Sequence, residues 1–292
     1  MEYTISNDKI SLTASSLGGE PKALKGADGT DYLWRGAKEY WPASAPHLFP
    51  FIGRLYEERY LYEGESYPLA IHGFLKDSSM ELVSQGDNSL VFKLDADETT
   101  KRQYPFDFRL YIRYELSSST VAVTFEVQNL GGKAMPFAIG GHPGFNVPLT
   151  KGLRFEDYYL EFSEEAAPKR TESTPSNLLN GNFLDYPLKK GRIIELRHAL
   201  FDDDAIILKD MARRVTLKSD GDSRAVTVDY PGFKYIGFWH TVRSEAPFVC
   251  IEPWTALQGY ENTVQKIDEN DDMIVLKPGE EYKNEWSITI HE

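Results

Sequence analysis

Apolar and polar residues alternate with a period of two along most of the chain. Phe108, Leu110, Ile112, Tyr114 and Leu116 interleave with Arg109, Tyr111, Arg113 and Glu115, the pattern of a strand with one buried face. Val121, Val123, Phe125 and Val127 repeat it, and the Ser117-Ser118-Ser119-Thr120 segment between the two supplies a turn, so the pair predicts an antiparallel hairpin. Leu90, Phe92 and Leu94 predict another strand, as do Trp286, Ile288 and Ile290. Helical patterning is confined to Asp97 to Gln103 and Ser163 to Ala167, each a turn or two long before Tyr104-Pro105 and Pro168 interrupt it. Many short strands with Gly, Asp and Asn between them predict an all-β fold, an antiparallel sandwich or barrel, rather than alternating β-α units. The stretch from Glu164 to Asn182, broken by Pro168 and Pro175, reads as an inserted loop, because strand patterning resumes at Ile193 and Ile194. No repeat or low-complexity linker divides the chain, so residues 1–292 are expected to form one domain.

Composition narrows the partners. The 292 residues are 41% hydrophobic and 13% aromatic, enough to bury a large core. Lys plus Arg number 32 against 45 Asp plus Glu, a net charge of -13 with no basic stripe. Nucleic acid and anionic membrane surfaces are therefore not expected partners. Cys250 is the only cysteine, which rules out an intrachain disulfide and suits a reducing compartment. Its place between Val249 and Ile251 reads as core. The N-terminal Met1-Glu2-Tyr3-Thr4-Ile5 lacks the basic and apolar regions of a signal peptide, and no run approaches a membrane span. A soluble cytoplasmic protein is expected.

Four segments are built unlike the strands around them. In Val249-Cys250-Ile251-Glu252-Pro253-Trp254 a carboxylate stands between a strand-like apolar run and a proline, as if the strand ended there. Apolar neighbours raise the pKa of such a group, and Trp254 can cover it against water. Ile139-Gly140-Gly141-His142-Pro143-Gly144-Phe145-Asn146 makes a bad strand and a poor core, but it can fix one imidazole at a pocket edge. His72, before Gly73, fits either a satisfied core group or a site residue. Arg54, inside Leu48-Phe49-Pro50-Phe51-Ile52-Gly53-Arg54-Leu55, fits either a structural salt bridge or a ligand contact. Pro231 to Trp239 is dense in rings that can stack on a sugar face, and Asp202-Asp203-Asp204 precedes a predicted strand at Ala205 to Leu208. No ligand pair of His-x-x-x-His type, dinucleotide fingerprint, phosphate-binding glycine loop or Gly-x-Ser-x-Gly occurs, so neither a metal nor a cofactor is expected. Acid-base chemistry between a carboxylate and an imidazole remains.

The order of Phe49-Pro50 with Gly53-Arg54, His72-Gly73-Phe74, Tyr104-Pro105-Phe106, Gly141-His142-Pro143-Gly144-Phe145 and Cys250-Ile251-Glu252-Pro253-Trp254 resembles the aldose 1-epimerase (mutarotase) family, in its LacX-like branch. The likeness runs from Ser16-Leu17-Gly18-Gly19 to Pro278-Gly279. It implies a large antiparallel β-sandwich, the galactose mutarotase-like supersandwich, and cofactor-independent exchange of α and β anomers of a free sugar by ring opening and reclosure. It also implies roles: Glu252 as general base at the anomeric hydroxyl, His142 as general acid at the ring oxygen, and His72 and Arg54 as hydroxyl ligands. The family's sugar-binding aspartate falls in the acidic cluster, at Asp204 rather than Asp203, and Trp239 and Trp254 complete the expected lining. The base and acid are expected on opposite sides of the sugar ring. Gly53 replaces the Asn usual before the arginine, and Glu252-Pro253-Trp254 replaces Glu-Thr-Gln, changes that bear on which sugar is chosen. The alternatives are a non-catalytic sugar sensor on the same fold and a polysaccharide lyase or glycosidase on a related sandwich.

Overall fold

The alternating segments become strands of two large antiparallel sheets in the computed structural model, which describes residues 1–292. The nine-stranded sheet runs Ile193–Glu195, Tyr158–Phe162, Arg214–Ser219, Ala225–Asp229, Glu281–His291, Thr120–Asn129, Phe108–Ser117, Ser89–Asp95 and Glu81–Gln85. The eight-stranded sheet runs Leu179–Asp185, Lys169–Ser173, Ile206–Lys209, Tyr235–Trp239, Phe248–Trp254, Gly140–Gly141 and His47–Leu48, with Gly144–Asn146 also paired to Phe248–Trp254. Pairing of Thr120 with Ser117 leaves Ser118-Ser119 as a two-residue turn, so the expected hairpin forms with its turn in the expected segment. Phe108, Leu110, Ile112, Tyr114 and Leu116 are all buried, as the alternation requires.

The sheets face each other across one contiguous cluster of 71 buried apolar residues. Phe162 of one sheet and Phe238 of the other have ring centroids 5.9 Å apart. Trp286 of the nine-stranded sheet lies beneath Gly141, where a Cβ would stand 2.7 Å from Trp286 Cζ2. That glycine lets the sheets close on a tryptophan just before His142. Phe49 belongs to this interior, its ring 5.2 to 5.9 Å from those of Phe74, Tyr104, Phe108 and Phe137. No helix is long and apolar enough to cross a membrane.

Two local expectations need correction. Asp97 does start a helix, Glu98–Lys101, its side chain accepting from the N–H groups of Thr99 and Thr100 at 2.8 Å. Ser163 to Ala167 does not, because the Ala166 N–H is drawn to the Gly191 carbonyl (2.9 Å) of a neighbouring segment instead of a helical acceptor. The Glu164 to Asn182 stretch is not an inserted loop either. It holds most of an edge hairpin, Lys169–Ser173 paired with Leu179–Asp185, and an edge hairpin that buries only Thr171 and Leu179 leaves little alternation to read.

A histidine outside the motifs, His47, is fully buried, and burial pulls its pKa down to about 3. Tyr114 donates its hydroxyl hydrogen to the Gly19 carbonyl (2.5 Å), which leaves the Tyr114 oxygen to accept from His47 Nε2 (2.5 Å). Tyr114→Phe strands two buried polar groups, and an unsatisfied one costs about 1–3 kcal/mol. Denaturant unfolding is expected to show a stability loss of that order with turnover per folded molecule unchanged. An equally stable variant would mean that this hydrogen-bond chain carries no net stability.

Candidate active site

A cleft of about 580 Å³ opens on the eight-stranded sheet, and Arg54, His72, His142, Asp204, Trp239, Glu252 and Trp254 all line it. They arrive from separate elements. Glu252 lies within the strand Phe248–Trp254, opposite Gly237, rather than at a strand end. The strand runs on through Pro253 because the ladder asks nothing of it there. Ile251 N–H bonds the Pro143 carbonyl (3.1 Å) and Thr255 N–H the Ile139 carbonyl (3.2 Å), and Pro253 faces the gap between these partners. In that gap His142 turns its ring out, its own N–H held by the Pro46 carbonyl at 3.0 Å.

His142 Nε2 stands 3.3 Å from Glu252 Oε2. The pair are therefore neighbours, not groups facing each other across a ring. Both are at least nine-tenths buried, and neither the two Glu252 oxygens nor His142 Nδ1 has another hydrogen-bond partner. Burial, and then the nearby Asp204 charge, push the Glu252 carboxyl well above its ordinary value. The Trp254 indole N–H opposes this without reaching good hydrogen-bond geometry. Burial pulls the His142 imidazole down to about 3. Each charge is penalised alone, so the stable arrangement is a pair that shares one proton across the short gap. Trp41 stacks on the His142 ring at 4.9 Å, and Trp239 meets it edge-on at 5.6 Å, which fixes the imidazole plane.

Strain marks two further residues. His72 has φ 65° and Asp204 φ 76°, both left-handed, a conformation that costs a non-glycine residue energy and is often kept for function. His72 Nδ1 accepts from the Gly53 N–H (3.0 Å), so the neutral ring carries its proton on Nε2 and has a donor to offer. Burial, with the nearby His142, holds His72 well below the ordinary histidine value. Gly53 itself has φ 70° and no room for a side chain, since a Cβ would stand 2.4 Å from Gln258 Cβ. Arg54, next to it, takes no part in a salt bridge, whereas its cleft neighbours Lys22 and Lys76 are paired with Glu20 and Asp77. Asp202 and Asp203 are exposed, and of the acidic cluster only Asp204 lines the cleft.

Some expected contacts change. Of the rings between Pro231 and Trp239 only Trp239 lines the cleft, while Phe233 and Phe238 are core. Cys250 is fully buried as expected, but in a small separate cluster with Ala246 and Phe248, against Trp34, Tyr40, Trp41 and Trp239. Trp41, Gln258, Ser173 and Asn177 also line the cleft. Gln258 follows closely on the Glu252 motif, and its Oε1 is buried without a partner. Trp41 has only its neighbour Pro42 to mark it. Ser173 and Asn177 come from the edge hairpin, which is tied to the Gln258 loop by Leu179 N–H to the Gly259 carbonyl at 2.9 Å.

Residues 1–289 match the family model described as aldose 1-epimerase. The chain is 31% identical to the plasmid-borne protein LacX of Lactococcus lactis subsp. lactis, across 99% of both chains. It is 32% identical to a galactose mutarotase related enzyme from Lactobacillus acidophilus, with TM-score 0.94 over 100% of this chain and 98% of that one. A galactose mutarotase-like protein from Lactobacillus casei ATCC 334 gives the same TM-score at 29% identity, covering 100% of each.

Proposed function

This chain belongs to the aldose 1-epimerase family, and from that premise we propose that it interconverts the α and β anomers of a free aldose by general acid-base ring opening. The observation that carries the reading is the 3.3 Å contact between two buried groups of opposite function, His142 and Glu252, in a sugar-sized cleft. The anomeric hydroxyl and the ring oxygen are bonded to the same carbon, so an acid and a base side by side suit them better than two groups on opposite faces. Glu252 takes the proton from O1 as C1=O1 forms. The C1–O5 electron pair goes to O5, which takes a proton from His142. Rotation about C1–C2 and reclosure on the other face of the carbonyl return both protons, so no electrons are exchanged with a second reactant. Asp204 raises the basicity of Glu252, His72 and Arg54 offer donors to hydroxyls, and Trp254 shields the carboxyl from water. The contiguous 71-residue core supports a single domain spanning residues 1–292.

NMR exchange on a panel of aldoses tests this. Anomer exchange faster than the uncatalysed rate is the expected result. Sugar binding without exchange would return the protein to the sensor reading.

The charge of the preferred sugar follows from the lining. Lys22 and Lys76 face the cleft together with Arg54, more basic residues than the motifs alone provide, but each lysine is neutralised by its own carboxylate. Asp204 adds negative charge beside the His142–Glu252 pair. A phosphate needs several free donors, so a neutral sugar is expected to give a higher kcat/KM than its 6-phosphate at low and moderate salt. A tenfold preference for the phosphate, about 1.4 kcal/mol of transition-state binding, would mean that the lysines exchange their carboxylates for the substrate.

A further inference from the structure

We infer that His142, Cys250 and Glu252 together form a binding site for a divalent cation of borderline softness, such as zinc or cadmium, and that its occupation inhibits the enzyme. Cys250 and Glu252 are two apart on one strand and so share a face. His142 enters that face from the break between Gly140–Gly141 and Gly144–Asn146. One nitrogen, one sulfur and one oxygen atom from the three residues lie within 4.8 Å of one another. A tetrahedral zinc with bonds of about 2.0–2.2 Å to nitrogen and oxygen separates those two atoms by roughly 3.3–3.6 Å, and His142 Nε2 and Glu252 Oε2 are 3.3 Å apart. The sulfur has at most about 1 Å to close, which one side-chain torsion can supply.

Other features point the same way. Both Glu252 oxygens are buried and, the His142 contact aside, have no hydrogen-bond partner, so the carboxyl aimed into this corner has ligand capacity that the rest of the chain does not use. His142 and Glu252 line the cleft, which gives a cation its path and leaves its fourth position to water or a sugar hydroxyl. Three protein ligands and an open fourth place is an arrangement zinc accepts readily. On binding, the Cys250 S–H bond breaks, the proton shared by His142 and Glu252 is displaced by bonds from Nε2 and Oε2 to the metal, the sulfur–metal bond forms and both protons leave to solvent, with no change of oxidation state. The cation takes up the two groups that would move protons at the sugar. That inhibitory consequence rests on the acid-base reading above, whereas the binding does not.

Cadmium titrated into the full chain can be followed by its ultraviolet thiolate-to-metal charge-transfer band. The expected result is one cadmium per chain, with a band that is lost in Cys250→Ala and an affinity lowered tenfold or more in His142→Asn. Cys250→Ser, closer in volume, replaces the alanine variant if that one does not fold. Wild-type anomer exchange is expected to stop as the band saturates and to return with a chelator. No band in folded wild-type protein, or a band that survives the loss of Cys250, overturns the site. Because the band needs no turnover, a protein that gives it without exchanging anomers keeps the cation site and loses the enzymatic reading. Exchange without the band does the reverse.

Discussion

Glu252→Gln is expected to lower catalysed anomer exchange by about 10²-fold or more, the usual contribution of a well-placed general base, without loss of stability. The amide keeps the shape of the side chain and removes its ability to take a proton. Glu252 is 1% exposed and its carboxyl has no hydrogen-bond partner other than the His142 contact. Folding therefore leaves a titratable group in a place that penalises its charged form, and a neutral amide of the same size removes that penalty. A thermal midpoint equal to or above that of the wild type is the matching expectation. The rate is read as NMR exchange between anomers, corrected for the spontaneous reaction. A Glu252→Gln variant that exchanges anomers at near wild-type speed would remove Glu252 from the role of base.

His142→Asn carries the second large effect, again about 10²-fold or more in exchange rate. Asparagine retains polarity but cannot deliver a proton to the ring oxygen. It also gives up the face that stacks on Trp41 at 4.9 Å, so a modest drop in thermal stability accompanies the kinetic loss. The two readouts together separate the roles. A histidine that only fills space would show a large stability loss with normal turnover per folded molecule, and that outcome would strike His142 from the mechanism. His47 is the internal control for such behaviour, being fully buried and bonded to Tyr114 without lining the cleft.

The family motifs divide in two once they are placed in space. Arg54, His72, His142, Glu252 and Trp254 line the cleft, whereas Phe49, Phe74, Tyr104 and Phe106 are interior residues. Linear context separates these classes poorly, since both occur beside glycine or proline. An Arg, His or Glu in such a place carries an energetic cost that needs a reason, and a Phe does not. That asymmetry makes the polar members legible as candidates, and it leaves Trp41, which carries no such cost, unmarked.

By itself the sequence determined where the long strands run, because a strand with one buried face must alternate and alternation is local. It also determined which chemical groups were available and, through the order of the motifs, the family. The edge hairpin that carries Ser173 and Asn177 was beyond it, since an edge strand buries too little to leave a pattern. Only the tertiary structure decided what stands next to what. The 3.3 Å contact between His142 and Glu252, the choice of Asp204 among three consecutive aspartates as the one lining the cleft, and the approach of Cys250 to His142 and Glu252 depend on cross-strand register and on the break opposite Pro253. Proton transfer and metal ligation depend on distance and on exclusion of water, and His142 comes within reach of Glu252 and Cys250 only when the segments on either side of it pair with the strand that carries them.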